Sequence, residues 1–329
     1  MGTEEFISGE INKLLDKLPL AANINYIIMK QNYLLNYSNK YWNRYLRFLI
    51  ITVVLFQLSS SCNNKQENFV KSFDNSLIEY SVAGNGKPAL VFIHGGLGCN
   101  KYVWYKQTPY FQDKYKVVTL SLAGHGNSKS NRTDYTMESF GEDVAAVVNK
   151  LQLENVILVG HSLGGLVCIE AAKILQDKVV GIIGIDCLNE FELIWQDEFI
   201  QGFLNWFMPD TKEKVGNMIR EMFTAETDSA LVELTVNQFS SVDSSVFFNE
   251  LDYWMHYQNE KFLNTVQKLE VPIACIHNGD NVLTVETNKK YNSEFTGVKM
   301  DSLLHFFIIS YPELVNPEIE NTIQNILRN

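Results

Sequence analysis

The sequence predicts an α/β fold: a mostly parallel central sheet flanked by helices on both faces, with a helical insertion near its C-terminal third. Three observations predict it. Short apolar runs of strand length recur at 89–93, 117–121, 156–159, 179–186 and 271–277, each too continuous for a strand with one wet face. Helical stretches separate most of them, which is the pattern of parallel strands joined by crossovers. Residues able to do chemistry fall where these strands end: His94, Ser162, Asp186 and Asp280. Ligands of open parallel sheets bind beyond those ends.

The elements follow in chain order. Residues 76–83 alternate like a strand, and Gly84-Asn85-Gly86 is turn chemistry. The buried strand 89–93 runs into His94-Gly95-Gly96-Leu97-Gly98, with a helical stretch around Trp104. Strand 117–121 leads to Gly124-His125-Gly126-Asn127-Ser128. Residues 137–151 read as a helix with Thr136 as its cap and Val144, Val147, Val148 and Leu151 on one face. Strand 156–159 is followed by a packed helix over 166–175, and 179–186 is another buried strand. The alternation stops near 190. Residues 190–262 are rich in aromatic and acidic side chains, contain no clear strand, and read as a helical insertion. The pattern resumes with strand 271–277, a helix near 285–295, a short strand at 297–301 and a closing helix over 313–327.

The N-terminal region is of a different kind. An amphipathic stretch at 11–18 lies among Glu4, Glu5, Glu10 and Asp16. From Met29 to Ser61 there is no acid, while Lys30, Lys40, Arg44 and Arg47 are basic. The apolar run 48–58 is shorter than the ~20 residues that span a bilayer and has the length of a signal-peptide core. Ser59-Ser60-Ser61 and Cys62 follow, and the segment resembles a bacterial lipoprotein signal, although Ser59 stands where an aliphatic residue is usual. The resemblance implies lipidation of Cys62, a polar tether over 62–72 and a membrane-anchored address in the cell envelope, facing the periplasm or exterior. An uncleaved signal anchor or an ordinary helix are the alternatives. On this reading 29–61 is the signal peptide and 1–28 an over-extended start, which mass spectrometry of the cellular N-terminus tests.

Composition removes several function classes. The formal charge of −11 and the lack of a basic stripe argue against nucleic-acid partners. Five cysteines do not make a disulfide framework, and Cys168, Cys187 and Cys275 read as buried, inert thiols. No metal-ligand spacing occurs, and neither metal nor cofactor is expected.

Gly160-His161-Ser162-Leu163-Gly164 fits G-x-S-x-G between a strand and a helix. A serine at so sharp a turn sits in a strained backbone, and flanking glycines remove side chains that would collide with it. The hydroxyl of Ser162 then projects above the sheet, and the N–H of Leu163 lies at a helix N-terminus suited to an oxyanion. A serine nucleophile needs a base in reach and a carboxylate to orient it.

With these motifs the chain resembles the α/β-hydrolase fold family over roughly 70–329. His94-Gly95-Gly96 matches its oxyanion loop, Gly124-His125-Gly126-Asn127-Ser128 its G-H-G-x-S turn, Gly160–Gly164 its nucleophile elbow, and the segment 304–313 the surroundings of its histidine. The resemblance implies a core over 73–189 and 263–329, and a cap over 190–262. It implies Ser162 as nucleophile, and His305, the one histidine beyond 277, as general base. The acid is Asp280, after the resumed strand, or alternatively Asp186, one strand earlier. Gly279 directly precedes Asp280 and Thr284 stands where the family often has Pro, so this loop departs from the usual pattern. Asp301 reads as a strand-end or surface residue. The oxyanion donors are the N–H groups of Gly96 and Leu163. His94 is structural, His161 packing, and His125 and Ser128 shape a turn.

The implied reaction is hydrolysis of a small to medium hydrophobic carboxylic ester, a small-molecule acyl substrate, through an acyl-enzyme. Of the cap's aromatic and methionine side chains, two to four are expected to line the pocket and the rest to form the cap's own core. A proline iminopeptidase-like enzyme and a carbon–carbon bond hydrolase share the fold. A non-catalytic binding protein on the same scaffold is the alternative of a different class.

Overall fold

A computed structural model describes residues 68–208, 210–279, 283–301 and 303–328. Cys62, the segments 1–28 and 29–61, and Asp280 lie outside the described residues. Eight strands form one sheet in the order β1-β2-β4-β3-β5-β6-β7-β8. They are β1 (Asn68–Lys71), β2 (Leu77–Ala83), β3 (Ala89–Ile93), β4 (Lys116–Ser121), β5 (Val156–His161), β6 (Val179–Ile185), β7 (Ile273–Asn278) and β8 (Thr296–Met300). The β1–β2 and β2–β4 pairs are antiparallel and the rest are parallel. Every residue of β3, β5 and β7 is buried, as a sheet covered on both faces requires.

The edge strand β1 falls inside the stretch assigned to the tether. Its residues are mostly exposed, so it carries little apolar periodicity to announce it, yet its pairing puts Val70 against the core.

The helices of the core are α1 (Gln107–Phe111), α2 (Met137–Lys150) and α3 (Gly164–Leu175). The Thr136 hydroxyl caps α2 by accepting the Ser139 N–H at 3.1 Å. Helix α3 is apolar nearly all round because it is buried nearly all round. Among the described residues the insertion after β6 holds α4 (Asp197–Phe207), α5 (Thr211–Glu221), α6 (Ser229–Phe239) and α7 (Ser244–Glu260). Asp228 and Asp243 cap α6 and α7 through backbone N–H groups. The chain returns through α8 (Phe262–Val266) and closes with α9 (Val285–Asn288), α10 (Phe307–Ser310) and α11 (Pro312–Ile326). The helix expected near 285–295 is thus one short turn. Asn288 is buried there and its amide ties Leu188 and Asn189 to the turn instead.

Register places the site. Ile93 pairs with Gly160, and His161 with Ile185. The loop after β3, the turn after β5 and the residue after β6 therefore emerge side by side.

Candidate active site

Ser162 has φ +55°, a left-handed conformation that costs an L-residue about 1–2 kcal/mol. Two backbone bonds hold it: Ser162 N–H donates to Ile185 O at 2.9 Å, and Gly165 N–H donates to Ser162 O at 2.9 Å. The turn has no room for side chains on either flank. A Cβ on Gly160 would fall on the Gly164 carbonyl, and one on Gly164 would lie 2.5 Å from His94 O and 2.6 Å from Ile93 O. Leu163 flanks α3 at its N-terminal end, where the helix dipole favours negative charge.

His305 sits just before α10. Its Nδ1 is hydrogen-bonded to Asp186 Oδ2, a carboxylate whose side chain is only 3% exposed. Asp186 is anchored in turn: its Oδ1 accepts the Asn278 amide at 2.7 Å and the Asn278 N–H at 3.1 Å. The alternative acid, Asp186, is thus set against His305, while Asp280 lies outside the described residues. Burial works to raise its pKa, but the hydrogen bond and charge of His305 prevail and hold the carboxyl down at about 2. Asp301 is exposed beside Lys299.

His161 packs behind His305, ring centroids 4.6 Å apart. Its Nε2 lies 2.9 Å from His305 O, and since a carbonyl only accepts, Nε2 carries the hydrogen. Burial, reinforced by the charge of His305, lowers its pKa to about 3. His94 has a fixed tautomer as well: Nδ1 donates to Gly95 O at 2.6 Å while Nε2 accepts Leu122 N–H at 2.9 Å. It ties the loop after β3 to the end of β4. Ser128 closes its own turn by donating to Ser121 O at 2.6 Å.

Ser162, His305, Asp186, Gly96 and Leu163 all line one cavity of about 360 Å³. Its remaining wall is mainly apolar and comes largely from the insertion. Trp195, Phe199 and Phe203, then Met222 and Phe239, then Trp254 and Met255 face it, more than the two to four expected. Trp195, Phe199 and Phe203 form one stacked row along this wall, with centroid spacings of 5.3 and 5.6 Å.

The family described as alpha/beta hydrolase fold matches residues 88–307. The chain belongs to the alpha/beta hydrolase family. A 3-oxoadipate enol-lactonase of Acinetobacter baylyi is 38% identical over 90 residues, 27% of this chain and 33% of that protein. The chain thus spans about a third of the length of that curated relative. An uncharacterized hydrolase of Bacillus subtilis is 22% identical over 250 residues, 73% of this chain and 91% of the relative. Among solved structures, an esterase from Exiguobacterium antarcticum superposes with a TM-score of 0.69 at 16% identity, covering 79% of this chain and all of that one. That likeness is one of fold.

One group in this hydrolase fold had no signal in the sequence. Glu250, on α7, reads there as one more acid of a helical insertion, yet it is fully buried. Its Oε2 accepts the N–H of Leu97 at 2.7 Å and lies 3.4 Å from His125 Nε2. Leu97 has φ +63°, a conformation that costs about 1–2 kcal/mol and that a hydrogen bond to a charged acceptor, contributing about 1.5–3 kcal/mol, can offset. His125, expected only to shape a turn, is fully buried. Burial lowers its pKa, but Glu250, a bond to Ala123 O and nearby Asp143 raise it further, and the net shift is upward.

Four thiols, Cys99, Cys168, Cys187 and Cys275, are buried and unpaired with one another. Burial pushes all four up, Cys99 to about 12, which leaves them protonated and inert.

Proposed function

We propose that this protein is a serine hydrolase of carboxylic esters that works through an acyl-enzyme on Ser162. The observation that carries this reading is the junction of a left-handed serine and a carboxylate-locked imidazole at one apolar cavity. His305 takes the Ser162 proton through Nε2, because Asp186 holds Nδ1 and so fixes which nitrogen carries hydrogen. The serine oxygen attacks the ester carbonyl, and the oxyanion rests on the N–H groups of Gly96 and Leu163. Protonated His305 gives its proton to the leaving alcohol. Water, deprotonated by the same imidazole, then releases the acid.

The cavity volume lies toward the lower end of ligand pockets, which supports small to medium acyl groups. The Acinetobacter relative's name supports lactones, as cyclic esters, within the same chemistry. A fluorophosphonate probe tests the reading. Wild-type protein is expected to be labelled and to turn over short p-nitrophenyl esters, and S162A to do neither. Labelled protein that cleaves prolyl arylamides and no ester would overturn the substrate class. A folded wild type that takes no label would overturn the mechanism.

A further inference from the structure

The loop that carries Gly96 is held from the cap side at two points. A Cβ on Gly98, at φ +102°, would meet the Phe239 backbone of α6, its carbonyl oxygen at 2.5 Å. One residue earlier, Leu97 N–H donates to Glu250 of α7. The other Glu250 oxygen lies 3.0 Å from where a Gly96 Cβ would stand, so the carboxylate is lodged directly behind the donor residue. Neither Glu250 nor His125 lines the cavity, so neither is placed to touch substrate.

Beside Glu250 lies the buried ring of His125. His125 Nδ1 faces Ala123 O at 3.1 Å, and a carbonyl accepts only, so Nδ1 carries hydrogen. Nε2 lies 3.4 Å from Glu250 Oε2, an ion-pair contact when the ring is protonated and not an aligned hydrogen bond. The other titratable groups around His125 are His94, with ring centroids 5.1 Å apart, and Asp143 on α2. Burying a carboxylate and an imidazole together is costly, and such pairs contribute little to stability compared with apolar packing. What Glu250 does, and an apolar residue could not, is present an acceptor oxygen to one backbone N–H of the loop.

We propose that Glu250 is a positioning residue that sets the oxyanion loop from the cap. The proposal rests on the acyl-transfer reading, because it acts through the Gly96 donor of that mechanism. The cap is then part of the catalytic apparatus. If α7 lifts, Leu97 loses its acceptor, the strained loop relaxes, and Gly96 N–H leaves the place where the oxyanion forms.

Steady-state kinetics of E250L and E250Q test it, with S162A beside them. E250L removes the acceptor, and its kcat is expected to fall about 100-fold, the scale of losing one oxyanion donor, with KM within about twofold. E250Q keeps an amide oxygen for Leu97 N–H and is expected to stay within about tenfold of wild type. An alkyl boronic acid, which becomes tetrahedral on Ser162, should bind E250L weaker by about the same factor as kcat falls, while a non-reacting amide analogue binds unchanged. Should E250L not fold, E250D shortens the side chain while keeping the charge, and is expected to show the same split. A folded E250L with wild-type kcat overturns the inference, as does an equal weakening of boronate and amide, or an E250Q as impaired as E250L. Wild-type turnover that survives S162A overturns the acyl-transfer reading itself and this inference with it.

Discussion

Two imidazoles pack together at the site, tilted by 41°, and burial sets them apart. His161, held as the Nε2–H form by the His305 carbonyl and with its pKa lowered to about 3, stays neutral across the working range. In the proposed mechanism His305 is then the imidazole that exchanges a proton, with no second positive charge behind it. Its orientation depends on Asp186, so D186N is expected to lower kcat about 10³–10⁴-fold, the cost of a wrong tautomer, while D280N leaves kcat largely intact. The reverse ranking would return the role to Asp280. Stability should respond too. Asp186 is held at about 2, below the ~3.9 of an unfolded aspartate, so its contribution is complete above about pH 4 and is lost as pH falls toward about 2. Urea denaturation across that window should show a shallower pH slope in D186N. The serine and the histidine were legible because chain order and local motif name them. The acid was left open, because Asp186 and Asp280 both follow strands; the register that brings β6 beside β5 is what carries Asp186 to the site, and Asp280 lies outside the described residues. Glu250 and the Glu250–His125 contact had no sequence signal, since pattern does not reveal that one acid of a helix is buried.

At the level of elements, the elbow depends on backbone meeting backbone. Gly164 opens α3 against the end of β3, with the Ile93 and His94 carbonyls where a Cβ would go. Neither carbonyl can swing away, because Ile93 is in the sheet and His94 is fixed at both ring nitrogens. G164A is therefore expected to destabilise the fold by about 3 kcal/mol, the upper range for overpacking, and to displace Ser162, measured as urea denaturation and loss of probe labelling together. An unchanged denaturation midpoint would show that α3 can slide. The same elements explain what the sequence disclosed. Strands β3 to β7 are buried on both faces along nearly their whole length and are therefore mainly apolar, so their runs stood out. Strand β1 and the short α9 are set by pairing and by the Asn288 side chain, neither of which leaves a periodicity.

The whole molecule carries a formal charge of −11, and its cavity repeats that bias. Among the described residues lining it there is no Lys or Arg; the acids are Asp186, engaged by His305, and Glu190. An acyl chain ending in a carboxylate would lose its water against Trp195, Phe199 and Trp254 with no cation to replace it, a loss of several kcal/mol for an ionised group. Mono-p-nitrophenyl succinate and p-nitrophenyl butyrate share a leaving group and a four-carbon acyl chain, and differ in that terminal charge. The kcat/KM for the succinate is expected to be lower by about 100-fold or more, since each 1.4 kcal/mol is about tenfold. Two origins of the difference can be told apart by salt. Repulsion from the surface field is screened over about 10 Å at 0.1 M and over about 3 Å at 1 M, whereas desolvation against an apolar wall is not. Raising NaCl to about 1 M should therefore recover only a small part of the gap. Equal rates for the two esters at low salt would mean that the acyl chain does not enter this cavity, and full recovery in salt would place the discrimination on the surface instead of on the aromatic row that the cap supplies.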